Sequence, residues 1–141
     1  LYQNERLETV DMRPFLTGLL NHLSDALGMS EAGINLVQSY AEIQRDADDA
    51  IPMALFIVEA VTNAMKYAFE EDGGEVAVHL SLAAEKVILE IRDTGLGYDS
   101  ADEDSGLGSK LMVAFARQLS AEFTTEARPG LGCSHKLVMD I

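Results

Sequence analysis

Two runs, EVAVHLSL (75–82) and KVILEIRD (86–93), alternate apolar and polar residues with almost no chain between them. Period-two alternation marks a strand with one buried face, and the intervening AAEK leaves room only for a hairpin. Val76, Val78, Leu80 and Leu82 fall on one face of the first strand, and Ile88 and its neighbours follow the same rule on the second. A sheet with one apolar face needs a second layer, which the rest of the chain supplies as helices.

Residues 11–28, DMRPFLTGLLNHLSDALG, carry Phe15, Leu16, Leu19, Leu20, Leu23 and Leu27 at helical spacing. Asp11 is placed as N-cap, Pro14 lies in the first turn and Gly28 provides the stop. INLVQSY (34–40) and EIQRDA (42–47) read as short strands. Asp48 or Asp49 then caps a helix with Pro52 in its first turn, running to about Phe69. A third helix is read over SKLMVAFARQLSAEF, with Leu111, Met112, Phe115, Ala116 and Leu119 inward. EFTTEAR, the turn PGLG and CSHKLVMDI make a last hairpin. This order predicts an α+β fold: a two-layer α/β sandwich with a mixed, mostly antiparallel sheet and helices on one face. Residues 1–9 read as the tail of an upstream helix plus a linker, and 10–141 as one domain. The chain opens on Leu1 rather than Met, so it is expected to be part of something longer.

Composition narrows the function classes. The formal charge is −14, against a nucleic-acid binder, which wants a basic face. A bound polyanion would need helix N-termini, backbone N–H groups, a Lys or a metal to hold it. One cysteine, Cys133, excludes an internal disulfide and fits a reducing compartment. No apolar run approaches the roughly 20 residues of a membrane span, so no membrane contact is expected.

Two stretches carry the chemistry. In VEAVTNAMKYAFE (58–70), Val58, Val61, Ala64, Met65, Ala68 and Phe69 form an apolar stripe, while Glu59, Asn63 and Lys66 stand one turn apart along the same rod. Those three suit either a wet face or the wall of a site. Asn is roughly 0.6 kcal/mol worse than Ala in a helix, so a solvated position would be filled more cheaply by Glu or Lys. Its side-chain oxygen suits a hard cation such as Mg²⁺. In the second stretch, the strand ending in Asp93 runs into TGLG, an acidic loop and GLGSKL. Gly95/Gly97 and Gly106/Gly108 bracket that loop, and the second pair opens a helix whose free N–H groups can hold phosphate. Lys110 adds a charge there. Asp93 is a poor strand former, and its carboxylate can accept an exocyclic N–H from a base. The loop matches neither the P-loop pattern, nor a complete G-x-G-x-x-G, nor a calcium hand.

EAVTNAMKYAF, DTGLG and GLGSKL, in that order, resemble the N box and the two glycine boxes of the ATP-binding domain of sensor histidine kinases, the Bergerat fold shared with gyrase, the Hsp90 chaperones and MutL. The resemblance extends from about Val10 to Ile141. The short loop between the glycine boxes is most similar to the bacterial subfamily with the second type of dimerisation and phosphoacceptor domain; the absence of tryptophan speaks against the subfamily named for its His, Trp and Glu residues. The resemblance implies a cytoplasmic histidine protein kinase of a two-component system, of which this is the catalytic domain. It puts Asn63 on Mg²⁺ and the phosphates of ATP, Lys66 on a phosphate and Tyr67 near the nucleotide. It puts Asp93 on the adenine amino group in a pocket shaped by Gly95 and Gly97. Gly106, Leu107, Gly108, Ser109 and Lys110 would hold the phosphate tail, with residues 98–105 as the lid and Tyr98 either on the nucleotide or at the lid base. Glu59 matches the acid that orients or activates the acceptor imidazole.

The implied partners are ATP, a phosphoacceptor histidine domain upstream of residue 1 and a response regulator, with the isolated chain monomeric. Ala60 and Cys133 depart from the pattern, where a larger aliphatic residue and a threonine are common. His22 is expected to be partly buried and structural, and His79 and His135 to lie exposed on strands. Two other readings share the fold: a degenerate domain of a histidine phosphotransferase that docks a response regulator without ATP, and a serine kinase that binds a sigma-factor partner.

Overall fold

A computed structural model describes residues 9–67, 73–95, 107–128 and 131–141. The elements, in chain order, are β1 (Thr9–Asp11), α1 (Met12–Leu27), β2 (Ile34–Tyr40), β3 (Gln44–Asp46), α2 (Ala47–Tyr67), β4 (Gly74–Ala83), β5 (Lys86–Asp93), α3 (Leu107–Gln118), β6 (Glu122–Arg128) and β7 (Gly132–Asp140). Five strands form one sheet in the order β2-β4-β5-β7-β6. Within that sheet β2 and β4 are parallel and every other pair is antiparallel, the mixed, mostly antiparallel sheet expected. Thr9, expected in the linker, pairs together with Val10 and Asp11 as β1 with β3 in a separate two-stranded sheet.

Strand alternation sorts the main sheet into two faces. Val76, Val78 and Leu80 of β4, Val87, Leu89 and Ile91 of β5, and Leu137 and Met139 of β7 enter one core with Leu16, Leu20, Phe56, Ile57, Val61 and Met112 from the three helices. Ile88 therefore lies on the opposite face. Leu82, expected inward, is 50% exposed, two residues past Leu80, the last residue of β4 that pairs with β2. Phe56 of α2 meets Phe123 of β6 edge-to-face at 5.2 Å.

The helix ends differ from expectation where local chemistry decides. Asp11 occupies the N-cap of α1 but makes no side-chain cap bond. Gly28 does close α1, at φ 65°, with its N–H and that of Met29 donating to Asp25 O and Ser24 O. α2 starts at Ala47, so Asp48 and Asp49 lie inside its first turn, where carboxylates favour the positive end of the helix dipole. Pro52 is accordingly one turn deeper than expected. Arg45 of β3 donates to Asp49 at 2.8 Å and to the Asp140 carbonyl at 3.0 Å, tying the small sheet to the end of β7. α3 stops at Gln118 rather than at Phe123; Ser120 turns the chain at φ 52° and Ala121 N–H bonds back to Ala116 O. Gly73, at φ 80°, lets β4 begin against β2, since a Cβ there would lie 2.4 Å from Gly33 O. Among the described residues, no helix is long and apolar enough to cross a membrane.

Candidate nucleotide site

The site residues arrive from three elements that meet on the helix-covered face. α2 packs against α3 on one side and against β5 beneath. Glu59 and Asn63 sit one turn apart on α2, each half-buried, and Lys66 is exposed one turn further on. Tyr67 is the last residue of α2. Ala60 is fully packed in the core, so a small residue there serves the packing. Leu107, Gly108, Ser109 and Lys110 form the first turn of α3, with Lys110 exposed. Gly97, Gly106, Tyr98 and the 98–105 segment lie outside the described residues.

Asp93 ends β5 on the same face as Ile91 and Leu89. Its Oδ1 accepts the Gly95 N–H at 2.9 Å, and the carboxylate also accepts the N–H of Cys133, its register partner on β7. Burial raises its pKa above the ordinary carboxylate value, and those two N–H groups pull it part of the way back. None of the ion pairs among the described residues involves it. A half-buried acceptor on a strand end, held by backbone donors and in no ion pair among the described residues, has capacity left for a further donor.

His135 lies two residues along β7 from Cys133. Expected to be exposed, it is 8% exposed, because its strand position faces the helices. Its Nδ1 is 2.9 Å from Thr125 Oγ1 and its Nε2 is 3.6 Å from Cys133 Sγ. Burial lowers its pKa to about 4, so the ring is neutral at pH 7. His22, expected partly buried, is exposed, with Nδ1 donating to Gly18 O at 2.9 Å. Among the described residues, no three His, Cys, Asp or Glu side chains cluster as a metal site. A magnesium site fits that finding, because Mg²⁺ commonly takes one or two protein oxygens and completes its shell with water and substrate phosphates; Asn63 offers one such oxygen.

A hollow of about 390 Å³ lies on the other side of the sheet. Glu75, Ala77, Glu90, Arg92, Ser134, Glu126 and Arg128 reach it from the uncovered face, and it abuts the strand ends at Asp93–Thr94 and Gly132–Cys133. It is back to back with the site on the helix side and meets it at Asp93, which also lines the hollow.

A two-layer sandwich with this strand order, with an acid closing the central strand β5 and a glycine-rich sequence between it and α3, is the arrangement of an ATP-binding domain of the kind found in histidine kinases. A family model described as a histidine kinase-like ATPase domain matches residues 32–138, and the chain belongs to that family. Among solved structures, the histidine kinase domain of the Erythrobacter litoralis EL346 blue-light activated histidine kinase superposes with a TM-score of 0.84 at 19% identity. That match covers 93% of this chain but 61% of the other, so this chain spans about three fifths of that kinase domain. The catalytic domain of histidine kinase ThkA superposes with a TM-score of 0.72 at 14% identity, covering 94% of both chains. At these identities the likeness is one of fold. Among curated proteins, the anti-sigma F factor of Clostridium kluyveri is 23% identical over 116 residues, 73% of this chain and 82% of its own length. The serine-protein kinase RsbW of Bacillus cereus is 33% identical over 61 residues, 43% of this chain and 38% of its own length.

Proposed function

We propose that this domain binds Mg-ATP and hands the γ-phosphate to a histidine on a separate helical domain, as the catalytic part of a histidine kinase. The observation that carries the reading is Asp93: a half-buried acceptor held by backbone N–H groups and in no ion pair among the described residues. In this reading Asp93 takes the amino group of adenine, Gly95 and Gly97 shape the pocket, and Tyr67 lies near the nucleotide. Gly106 to Lys110 present N–H groups and a cation to the phosphates, and Lys66 supplies a second cation. Asn63 would hold Mg²⁺, which when bound neutralises phosphate charge. Glu59 is half-buried one turn from Asn63; in this reading it would orient the acceptor imidazole. Catalysis is then mainly positioning and electrostatic support. Residues 10–141 form the catalytic unit and residues 1–9 lead in from the acceptor domain.

A second reading is favoured by the curated relatives, named as an anti-sigma factor and a serine-protein kinase. It keeps the same ATP site and changes the acceptor to a serine on a partner protein. Phosphotransfer from radiolabelled ATP separates the two when the chain is mixed with a histidine-bearing helical hairpin or with a serine-bearing partner. Acid-labile, alkali-stable label supports histidine; acid-stable label supports serine. Calorimetric titration with ATP, with and without Mg²⁺, comes first: binding that weakens in Asn63→Ala and Asp93→Asn supports the site. A folded chain that binds no ATP would replace both readings with the degenerate docking domain.

A further inference from the structure

The carboxylate of Asp93 is positioned by backbone, and the backbone that carries it is gripped from both sides. On the β7 side stands Gly132, at φ 110°. A Cβ at Gly132 would lie 2.0 Å from Asp93 O, 3.0 Å from Asp93 C and 3.1 Å from Thr94 Cα. These are backbone atoms, so no rotamer change relieves the overlap. Only glycine lets β7 begin this close to the end of β5, and only that approach brings the Cys133 N–H onto the Asp93 carboxylate. On the β4 side, Thr94 N–H donates to Glu75 O at 3.0 Å and Glu75 N–H donates to Thr94 Oγ1 at 3.0 Å. This reciprocal pair carries the β4–β5 ladder past Asp93, the last residue of the strand. The 93–94 peptide therefore sits between Gly132 and Glu75 with little room to shift.

We propose that Gly132 and Thr94 are positioning residues for base selectivity: together they hold the Asp93 carboxylate where it accepts a 6-amino group and turns away a 6-oxo group. The proposal rests on the reading of Asp93 as the adenine acceptor. Neither residue need touch the nucleotide. A carboxylate accepts an N–H but opposes the lone pairs of a carbonyl oxygen, so discrimination depends on the distance and angle at which it is held.

The test compares ATP with inosine triphosphate, whose purine carries a carbonyl oxygen at position 6 in place of the amino group and a hydrogen on N1. Both are titrated calorimetrically into the full chain. The wild type is expected to favour ATP by at least about tenfold, the worth of one well-placed hydrogen bond to a charged acceptor. In Gly132→Ala the ratio should fall by about tenfold, through weaker ATP binding with inosine triphosphate changed by less than about twofold. Thr94→Val keeps the β-branch, replaces the hydroxyl with a methyl group and leaves the Glu75 N–H to water; its ratio should fall by about threefold.

Far-ultraviolet circular dichroism and a thermal melt establish that each variant is folded. Folded variants with the wild-type ratio overturn the proposal, as does an equal loss for both nucleotides, which would mean a general structural role. If Gly132→Ala does not fold, Thr94→Val decides alone by the same criterion. A wild-type chain that binds ATP without preferring it overturns the proposal but leaves an ATP site standing. A chain that binds neither nucleotide removes the underlying reading as well.

Discussion

Two aspartates close opposite ends of one antiparallel strand pair. β5 and β7 run in register from Lys86 opposite Asp140 to Asp93 opposite Cys133. At the first end, the Asp140 carboxylate lies 2.5 Å from Lys86 Nζ, with both side chains in solvent. The hydrogen bond and charge of Lys86 hold Asp140 below the ordinary carboxylate pKa. At the other end Asp93 is half-buried, and that burial moves it the opposite way. The same residue type on the same ladder thus carries opposite signs. The exposed end has a partner of its own and little at stake. The half-buried end keeps acceptor capacity unspent at a cost in stability, and groups perturbed in this way concentrate at functional sites.

The largest expected effect comes from Asp93→Asn, which removes the contrast at its source. ATP affinity should fall roughly 10- to 150-fold, the worth of a hydrogen bond to a charged group; isothermal titration reads it. Stability should move the other way. Native Asp93 keeps its proton to a higher pH than the unfolded chain does. Between the ordinary and the raised pKa the native state binds more protons, so unfolding free energy falls as pH rises through that window and stays lower above it. Asn carries no such penalty. At pH 7 the variant should melt above the wild type, and the advantage should vanish below the ordinary carboxylate range. A variant that loses both ATP binding and stability at pH 7 would make Asp93 a structural residue like Asp140.

Much of this fold was readable because alternation and helical stripes are long-range patterns. The β4–β5 hairpin, three helices and the closing hairpin follow from them. What escaped depends on contacts between distant segments. β1 is three residues long and exists through pairing with β3. Ile88 and Val87 are adjacent and both apolar, so the pattern alone does not choose which faces the core. His135 is polar within CSHKLVMD, and only the packing of Phe123 and Thr125 on the covered face of β6 shows that it is buried. In the candidate site, Asp93 and Asn63 stood out because each is an ill-suited residue for its element. Gly132 did not, since a glycine in PGLG reads as a turn. Its close approach to Asp93 joins residues 39 positions apart, and the remaining hint, a glycine heading a strand that begins with cysteine, does not point to Asp93.

His135 sharpens the comparison by testing burial without a charged partner on a base rather than an acid. Its pKa falls from 6.5 to about 4 through burial. Between those values the unfolded chain binds more protons than the native one, so stability is fully present above pH 6.5 and is lost as pH falls through the window. The sign is opposite to that of Asp93, as the desolvation argument requires. At pH 5.5 the loss should be about 1 kcal/mol. His135→Phe should cost something at pH 7, where Thr125 Oγ1 loses its partner. It should flatten the dependence between pH 7 and 5, measured by urea denaturation. An unchanged acid limb would place the titrating group elsewhere.

The smallest effect is expected at the exposed end. Lys86 and Asp140 contribute through a solvent-exposed pair. Asp140, lowered by Lys86, adds stability present above the ordinary carboxylate pKa and lost on acidification; Lys86, raised by Asp140, adds stability lost as pH rises through its own pKa. Both contributions are screened by water and salt, so Lys86→Ala and Asp140→Asn, singly and together, should shift the melting temperature only slightly in dilute buffer and not at all in about 1 M salt, where the Debye length is near 3 Å. Arg45 still donates to the Asp140 carbonyl, a backbone bond that these substitutions leave in place. ATP affinity should be untouched in all three variants. If Lys86→Ala weakened ATP binding, the two ends of the ladder would be coupled along β5 and β7. The separation of a structural from a ligand-directed aspartate would then fail, even with the melting temperature unchanged.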